Sequence, residues 1–451
     1  MSPQPLCAHA VDCTGIKEIQ ETKKPELSNG RANKLDAQDR AFHDWYRFVL
    51  SFPPHLVRDY IQKFGLNQKN VLLDPFCGTG TTLVEAKLAG MKTIGLEGNP
   101  FPHFASSVKT DWEPSGDELS SRAKQVAKKV LATLKSQGID DDLSFSNGKE
   151  LELKKLSPEI EKLILTNSIS PLPLHKTLVL LERLKQFEGE PFYRHALLAL
   201  GNALVFKISN LHFGPEVGVK NPKADAPVIS SWLFEIEKIA GDLRQVAGKS
   251  FPKSDVYLAD ARDLDIIEPN SVDAVITSPP YPNEKDYTRT TRLESILLGF
   301  INSKEELREL KKRLVRSNTR GIYKGDDDDQ WVSDFPEIQR IADEIEKRRI
   351  ELGKDSGFER LYPRATKLYF GGMAKHLSDL RKVLRPGAQL AYVVGDQASY
   401  LRVMIRTGQI LGDIAKSLGY EVTGIDLFRT RLATATKEQL REEVVILRWK
   451  G

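Results

Sequence analysis

Val71-Leu72-Leu73-Asp74-Pro75-Phe76-Cys77-Gly78-Thr79-Gly80-Thr81-Thr82 is the stretch on which the fold turns. A short apolar run opened by Asn70 and closed by Asp74 reads as a buried strand, and the glycines at 78 and 80 break it into a tight turn before a helix expected over Thr82 to Ala89. Thr93-Ile94-Gly95-Leu96-Glu97 then reads as a second strand ending on an acid. Strand, turn, helix and strand in that order form a β-α-β unit, which implies a parallel sheet because the crossover helix returns the chain to the same edge.

Working outward, strand signals return at Asp255 to Asp260 and Val272 to Thr277, with a helix expected at Leu368 to Val383. An Arg385-Pro386-Gly387 turn, a strand at Gln389 to Val394, a helix at Ile405 to Leu418 and strands at Glu421 to Leu427 and Glu443 to Trp449 complete the alternation. These pieces predict a Rossmann-like, doubly wound α/β fold with about seven strands, mostly parallel, and helices on both faces. Two helical stretches, about 113–250 and 283–365, interrupt the sheet as insertions, the first holding a Pro/Gly-rich loop at Gly214 to Pro227. Residues 1–40 are polar, without apolar periodicity, and read as a disordered leader; order begins near Ala41 with Trp45, Phe48, Val49 and Leu50. One domain, 41–451, is expected.

Composition excludes several classes. With 40% apolar and 28% charged residues over 451, the chain is that of an ordinary globular protein. It has neither a run of about 20 apolar residues nor a signal-peptide pattern, so a cytoplasmic location is expected and no membrane partner. Cys7, Cys13 and Cys77 are too few for a disulfide framework, and no Cys/His spacing suits zinc, so no metal is implied. The net charge of +4 neither demands nor excludes a polyanion, but Asn283 to Lys324 holds 11 Lys and Arg against 6 Asp and Glu. That basic segment could track phosphates or be a solvated helix face.

Ligands of doubly wound sheets bind at the carboxyl edge, where Asp74-Pro75-Phe76-Cys77-Gly78-Thr79-Gly80-Thr81-Thr82 lies. Glycine lets backbone approach a ligand closely, and Glu97 is placed to accept hydrogen bonds from a ribose diol. Strand 272–276 delivers Thr277-Ser278-Pro279-Pro280-Tyr281 to the same edge. An exocyclic amine is a poor nucleophile because its lone pair is delocalised into the ring. A serine oxygen and the first proline carbonyl can accept its hydrogens, two prolines fix that carbonyl's aim, and Tyr281 offers a face for stacking a base.

Together these strings closely resemble the motifs of the amino-group S-adenosylmethionine-dependent DNA methyltransferases, a family of class I methyltransferase fold. The resemblance covers roughly 41–110, 251–300 and 366–451. It implies that Asp74, Pro75, Phe76, Gly78, Thr79, Gly80 and Thr81 wrap S-adenosylmethionine, that Glu97 holds its ribose and Asp260 its adenine, and that Phe52 and Pro53 close over its methionine half. Cys77 is expected to be a small buried residue rather than a nucleophile. Ser278, Pro279, Pro280 and Tyr281 are the implied catalytic residues, and serine in first position resembles the cytosine-N4 members, where aspartate is more usual in adenine-N6 members.

The implied reaction is methyl transfer to N4 of a cytosine flipped out of double-stranded DNA, in restriction-modification or DNA self-marking with cognate restriction or defence proteins as partners. Alternatives are an N6-adenine DNA methyltransferase, an RNA (tRNA) base-amine methyltransferase, and a non-catalytic binding module. Lys220 and Lys223, in a loop that could enter a groove, and Arg289 and Arg292 are the candidate DNA contacts; the alternative for the arginines is a helix-surface salt bridge with Glu294. The larger insertion precedes the third strand rather than following it, which departs from the family pattern.

Overall fold

The computed structural model describes residues 35, 39–47, 51–142, 152–213, 216–283, 285–432 and 439–451. Most of the expected leader, together with Phe48, Val49 and Leu50, lies outside these residues.

The chain first forms helix α1 (Pro54–Lys63), strand β1 (Val71–Asp74), α2 (Thr81–Leu88), β2 (Lys92–Glu97) and α3 (Pro100–Lys109). Between β2 and the next sheet strand come α4 (Gly116–Ser136), α5 (Pro158–Glu161), α6 (Pro171–Leu184), α7 (Pro191–Ala203), a two-stranded ribbon of β3 (Leu211–Phe213) and β4 (Val217–Val219), and α8 (Ile229–Val246). Then follow β5 (Ser254–Leu258), β6 (Val272–Thr277), α9 (Tyr287–Thr290), α10 (Arg292–Leu297), α11 (Lys304–Arg313), α12 (Pro336–Glu351) and α13 (Tyr362–Leu380). The described chain ends with β7 (Leu384–Gly395), α14 (Thr407–Ser417), β8 (Glu421–Leu432) and β9 (Gln439–Arg448).

Seven strands form one sheet in the order β5-β2-β1-β6-β7-β9-β8, parallel except where β9 runs against β7 and β8. This is the doubly wound, Rossmann-like arrangement expected. From β1 the chain winds outward to β2 and β5, then returns to lay β6 on the other side of β1. The order reverses between β1 and β6, and the crevice beyond their carboxyl ends is where such a sheet binds ligands.

Burial on both faces explains why the strands read as continuous apolar runs. Along β1 and β6, Leu72, Ala274 and Ile276 pack with Leu56, Val57 and Tyr60 of α1 and Ala86 of α2, while Leu73 and Val275 pack with Tyr369, Phe370 and Leu377 of α13 and Ile414 of α14. A third cluster joins Phe101, Ala105 and Val108 of α3 to the apolar faces of α4, α6, α7 and α8 and to Trp45 and Tyr46. Among the described residues no helix is long and apolar enough to cross a membrane.

The structure corrects two local expectations. Arg385-Pro386-Gly387 is not a separate turn: β7 runs through it as a bulge, with Gly387 at φ 90° donating its N–H to the Trp449 carbonyl at 2.7 Å. Within the loop expected at Gly214 to Pro227, Val217–Val219 forms β4, paired with β3, and the next residue, Lys220, donates its N–H to the Asn210 carbonyl at 2.9 Å.

Candidate active site

At the β1–β6 switch point lies a cavity of about 620 Å³. Phe52, Pro53, Pro75, Phe76, Gly78, Thr79, Thr81, Glu97, Asp260 and all of Ser278 to Tyr281 line it. Sequence segments more than 200 residues apart thus share one space. Asp74 and Gly80 lie beneath the lining rather than in it.

Asp74 laces the two halves together. Its Oδ1 accepts from the Thr277 hydroxyl at 2.6 Å and from the Phe76 N–H at 3.1 Å, tying the loop after β1 to the last residue of β6. Thr82 adds a parallel tie, donating to the Ile276 carbonyl at 3.2 Å. Complete burial pushes the Asp74 carboxyl up to about 6 against these donors.

Gly78 has φ 52°, and a Cβ there would meet nothing within 4 Å, so the turn presents bare backbone to the cavity. Gly80, at φ 85°, serves packing instead: a Cβ would come within 3.0 Å of Ser106 Cβ. Glu97 closes the corner, its Oε2 accepting from Gly78 N at 2.9 Å and its Oε1 from Asn99 N at 2.8 Å. Burial raises its carboxyl to about 7 despite both donors. Cys77 is a buried thiol held well above its ordinary pKa by desolvation, in keeping with a packing residue.

S-adenosylmethionine, the methyl donor that the sequence resemblance implies, fits this half of the cavity. An open glycine backbone, an acid with spare lone pairs, and the apolar surfaces of Phe52, Pro53, Phe76, Ala259 and Leu314 form the cradle that an adenosyl group requires. Asp260 is less free than the motif suggested. Arg262 wraps its carboxylate, Nε reaching Oδ1 at 3.0 Å and Nη2 reaching Oδ2 at 2.7 Å, and a second ion pair joins Arg262 to Asp328. Asp328 is itself backed by Gly371 of α13, where a Cβ would lie only 1.9 Å from the Asp328 carbonyl oxygen.

At the catalytic end, Ser278 Oγ lies 3.1 Å from the Val393 carbonyl of β7. The hydroxyl can donate to that carbonyl while its oxygen still accepts, and the Tyr281 side chain is a second hydrogen-bonding neighbour of it. The Tyr281 ring lies across the end of β7, where Gly395 leaves room for it: a Cβ on Gly395 would stand 3.0 Å from Tyr281 Cε2 and 3.3 Å from Glu442 Cγ.

Residues that carried no sequence signal complete the site. His376 of α13 packs edge-on against Phe76 at 4.9 Å between ring centroids. Its Nδ1–H donates to the Ala261 carbonyl at 2.6 Å, and Nε2 accepts from the Tyr392 hydroxyl at 2.7 Å. Burial pulls its pKa down to about 4, so it stays neutral in that tautomer. Arg429, Arg431, Glu442, Lys285 and Asn318 also line the cavity. Thr277, Arg262 and His376 act through other residues, and that kind of position has no local motif.

The candidate DNA contacts are not brought together. Arg292 donates to the Leu163 carbonyl, the Thr288 carbonyl and the Thr288 hydroxyl, which makes it a brace between α10, α9 and the 158–165 segment. Arg289 is half-buried, and its Nε has no hydrogen-bond partner among the described residues. Neither arginine pairs with Glu294, which is fully buried and accepts from the Tyr46 hydroxyl. Lys223 Nζ donates to the carbonyls of Lys207 and Ser209, both at 2.8 Å, and so ties its own loop down, whereas Lys220 is exposed. Within the basic segment, Lys311 pairs with Asp286 at 2.9 Å and Arg316 with Asp326 at 2.8 Å, so part of its charge is neutralised internally.

Comparison with known proteins adds to this geometry. The DNA methylase (N6/N4) family profile matches residues 16–103, which include β1, its glycine turn and β2. The Type II methyltransferase M.BsoBI of Geobacillus stearothermophilus is 27% identical over 464 residues, covering 96% of this chain and 88% of that protein. The Type II methyltransferase M.AvaI of Nostoc is 23% identical, covering 95% of this chain and 90% of its own. A shorter match, 29% identical over 120 residues and 27% of this chain, is to the Type II methyltransferase M.MjaII of Methanocaldococcus jannaschii, of which it covers 20%.

Proposed function

We propose that the chain is an amino-group DNA methyltransferase, as its likeness to the DNA methylase family profile and to Type II methyltransferases supports, and that it methylates N4 of a cytosine flipped from duplex DNA, as the modification half of a restriction-modification system. The observation that carries this reading is the placement of Ser278, whose hydroxyl can donate to the Val393 carbonyl and still accept through its oxygen, in one cavity with Glu97.

Glu97, Asp260, the Gly78 backbone, Phe52 and Pro53 would hold S-adenosylmethionine, which would supply a methyl group on a cationic sulfur. The amine is the weak partner. Ser278 Oγ and the Pro279 carbonyl accept its two hydrogens, which withdraws the nitrogen lone pair from ring conjugation and aims it, while Pro280 limits backbone freedom and Tyr281 stacks on the ring. The amine proton leaves after transfer from a cationic product that is strongly acidic, so no buried base is required. DNA recognition is assigned to the helices outside the sheet, α4–α8 and α9–α12; the second group flanks the cavity through Lys285, Arg313 and Asn318.

Glu97 makes the cofactor half sensitive to pH. A ribose diol donates hydrogen bonds, so binding favours the ionised carboxylate, and with the free group at about 7 affinity should fall as pH drops through that value. Calorimetry from pH 8 to pH 6 is expected to show a loss of about tenfold, absent in Glu97→Gln. The stability of the free protein should move the opposite way. Asp74 and Glu97 hold protons at pH values where the unfolded chain, near 3.8 and 4.5, has lost them. The native state then binds more protons, and these two groups lower stability as pH rises from about 4 to 7.

The test of function is label from tritiated S-adenosylmethionine, with mixed-sequence duplex DNA and structured RNA in parallel, digested to nucleosides. N4-methylcytosine supports the proposal. N6-methyladenine overturns the choice of base, and label confined to RNA overturns the substrate.

A further inference from the structure

Strands β8 and β9 pair as an antiparallel hairpin, and their Arg429, Arg431 and Glu442 form one wall of the cavity. Pairing runs to Leu427 opposite Glu443 and resumes with Arg429 opposite Glu442, so Phe428 is an extra residue, a β-bulge. In an unbroken strand Phe428 and Arg429 would point to opposite faces, and a bulge resets that alternation. Both line the cavity, while Leu427 before them is 57% exposed. Arg429 Nε donates to Glu442 Oε2 at 2.6 Å, and the Glu442 stem and the Tyr281 ring both flank Gly395. The two Nη groups of Arg429 have no hydrogen-bond partner among the described residues.

We propose that Arg429, aimed by this bulge and held through Nε by Glu442, is a specificity-determining residue whose Nη groups read N3 and O2 of the flipped base. The inference rests on the cytosine-N4 reading and deepens it. Next to its amine, cytosine presents two adjacent acceptors, which a planar guanidinium matches with parallel donors. Adenine presents N1 beside a C–H, so one donor would be buried unpaired, and a site built for hydrogen bonds discriminates strongly against a ring that lacks them. The placement suits this division of labour. Ser278 follows β6 and Arg429 lies on β8, three inter-strand steps away. At about 4.8 Å a step the gap is about 14 Å, a span filled jointly by an arginine side chain and a pyrimidine. Glu442 is a positioning residue in this account.

The test begins by mapping the base that the wild-type protein labels. Duplexes carrying cytosine or 3-deazacytosine at that position are then methylated by the wild type, Arg429→Gln and Arg429→Lys, with cofactor affinity and melting temperature measured alongside. Arg429→Gln should lose roughly 10- to 100-fold in kcat/KM on cytosine, with cofactor affinity unchanged, and Arg429→Lys should lose nearly as much because it lacks the parallel donors. The analogue should penalise the wild type about tenfold more than Arg429→Gln, which has no N3 contact left to lose. Equal penalties in both proteins, or a glutamine variant within about twofold of the wild type, would overturn the role of Arg429 and leave the cytosine reading standing. Adenine labelled by the wild type would overturn that reading and this assignment with it.

Discussion

Ser278→Ala is expected to lower kcat/KM for methyl transfer by about 10² to 10³-fold while leaving cofactor affinity unchanged. The size follows from what the oxygen does. A hydroxyl that donates to the Val393 carbonyl 3.1 Å away keeps an oxygen able to accept an amine hydrogen. An amine hydrogen left without that acceptor keeps the nitrogen lone pair in the ring, and the loss falls on the chemical step rather than on cofactor binding. The stability cost should be about 1 kcal/mol, because one hydrogen bond to a β7 carbonyl disappears. Single-turnover rates with saturating cofactor and DNA isolate the step. A rate within about tenfold of the wild type would remove Ser278 from the chemistry.

β1 and β6 were legible in the sequence because strand and motif are contiguous there. Both are short apolar runs because both their faces are buried, and each brings its motif to the cavity within five residues of its end, as Gly78 follows Asp74 and Tyr281 follows Thr277. The remaining features depend on contacts between distant segments. Nothing around Asp260 announces that Arg262 will clamp it, because Arg262 is itself held by Asp328 and the position of Asp328 depends on an uncrowded Gly371 in another helix. Arg292 was a candidate phosphate contact from its place in the 287–294 string, yet one of its partners, the Leu163 carbonyl, comes from 129 residues away. The bulge at Phe428 was equally hidden. Alternating patterns predict where a strand lies, but a one-residue register slip is decided by the partner strand, and here that slip determines which side chain faces the cavity.

Gly395→Val is expected to reduce kcat/KM by about 10²-fold or more, with Gly395→Ala intermediate. Gly395 is the last residue of β7, paired with Glu442, and a Cβ there would already stand 3.0 Å from the Tyr281 ring and 3.3 Å from the Glu442 stem. Valine adds two methyl groups at that crowded point, so the Tyr281 ring, proposed to stack the base, and the carboxylate that holds Arg429 must both move. Overpacking should cost about 1–3 kcal/mol in stability, too little to unfold a domain of this size. Glu97 and the Gly78 turn belong to the other half of the cavity, so cofactor affinity should hold, which separates the effect from general damage. The decisive comparison is made in a Tyr281→Ala background. If the glycine matters because it gives the tyrosine its place, valine should add much less there than in the wild type, a coupling of the kind that contacting residues show. Undiminished loss in that background would shift the role of Gly395 from Tyr281 to the Glu442–Arg429 pair, and no loss in either background would mean that the ring position does not govern catalysis.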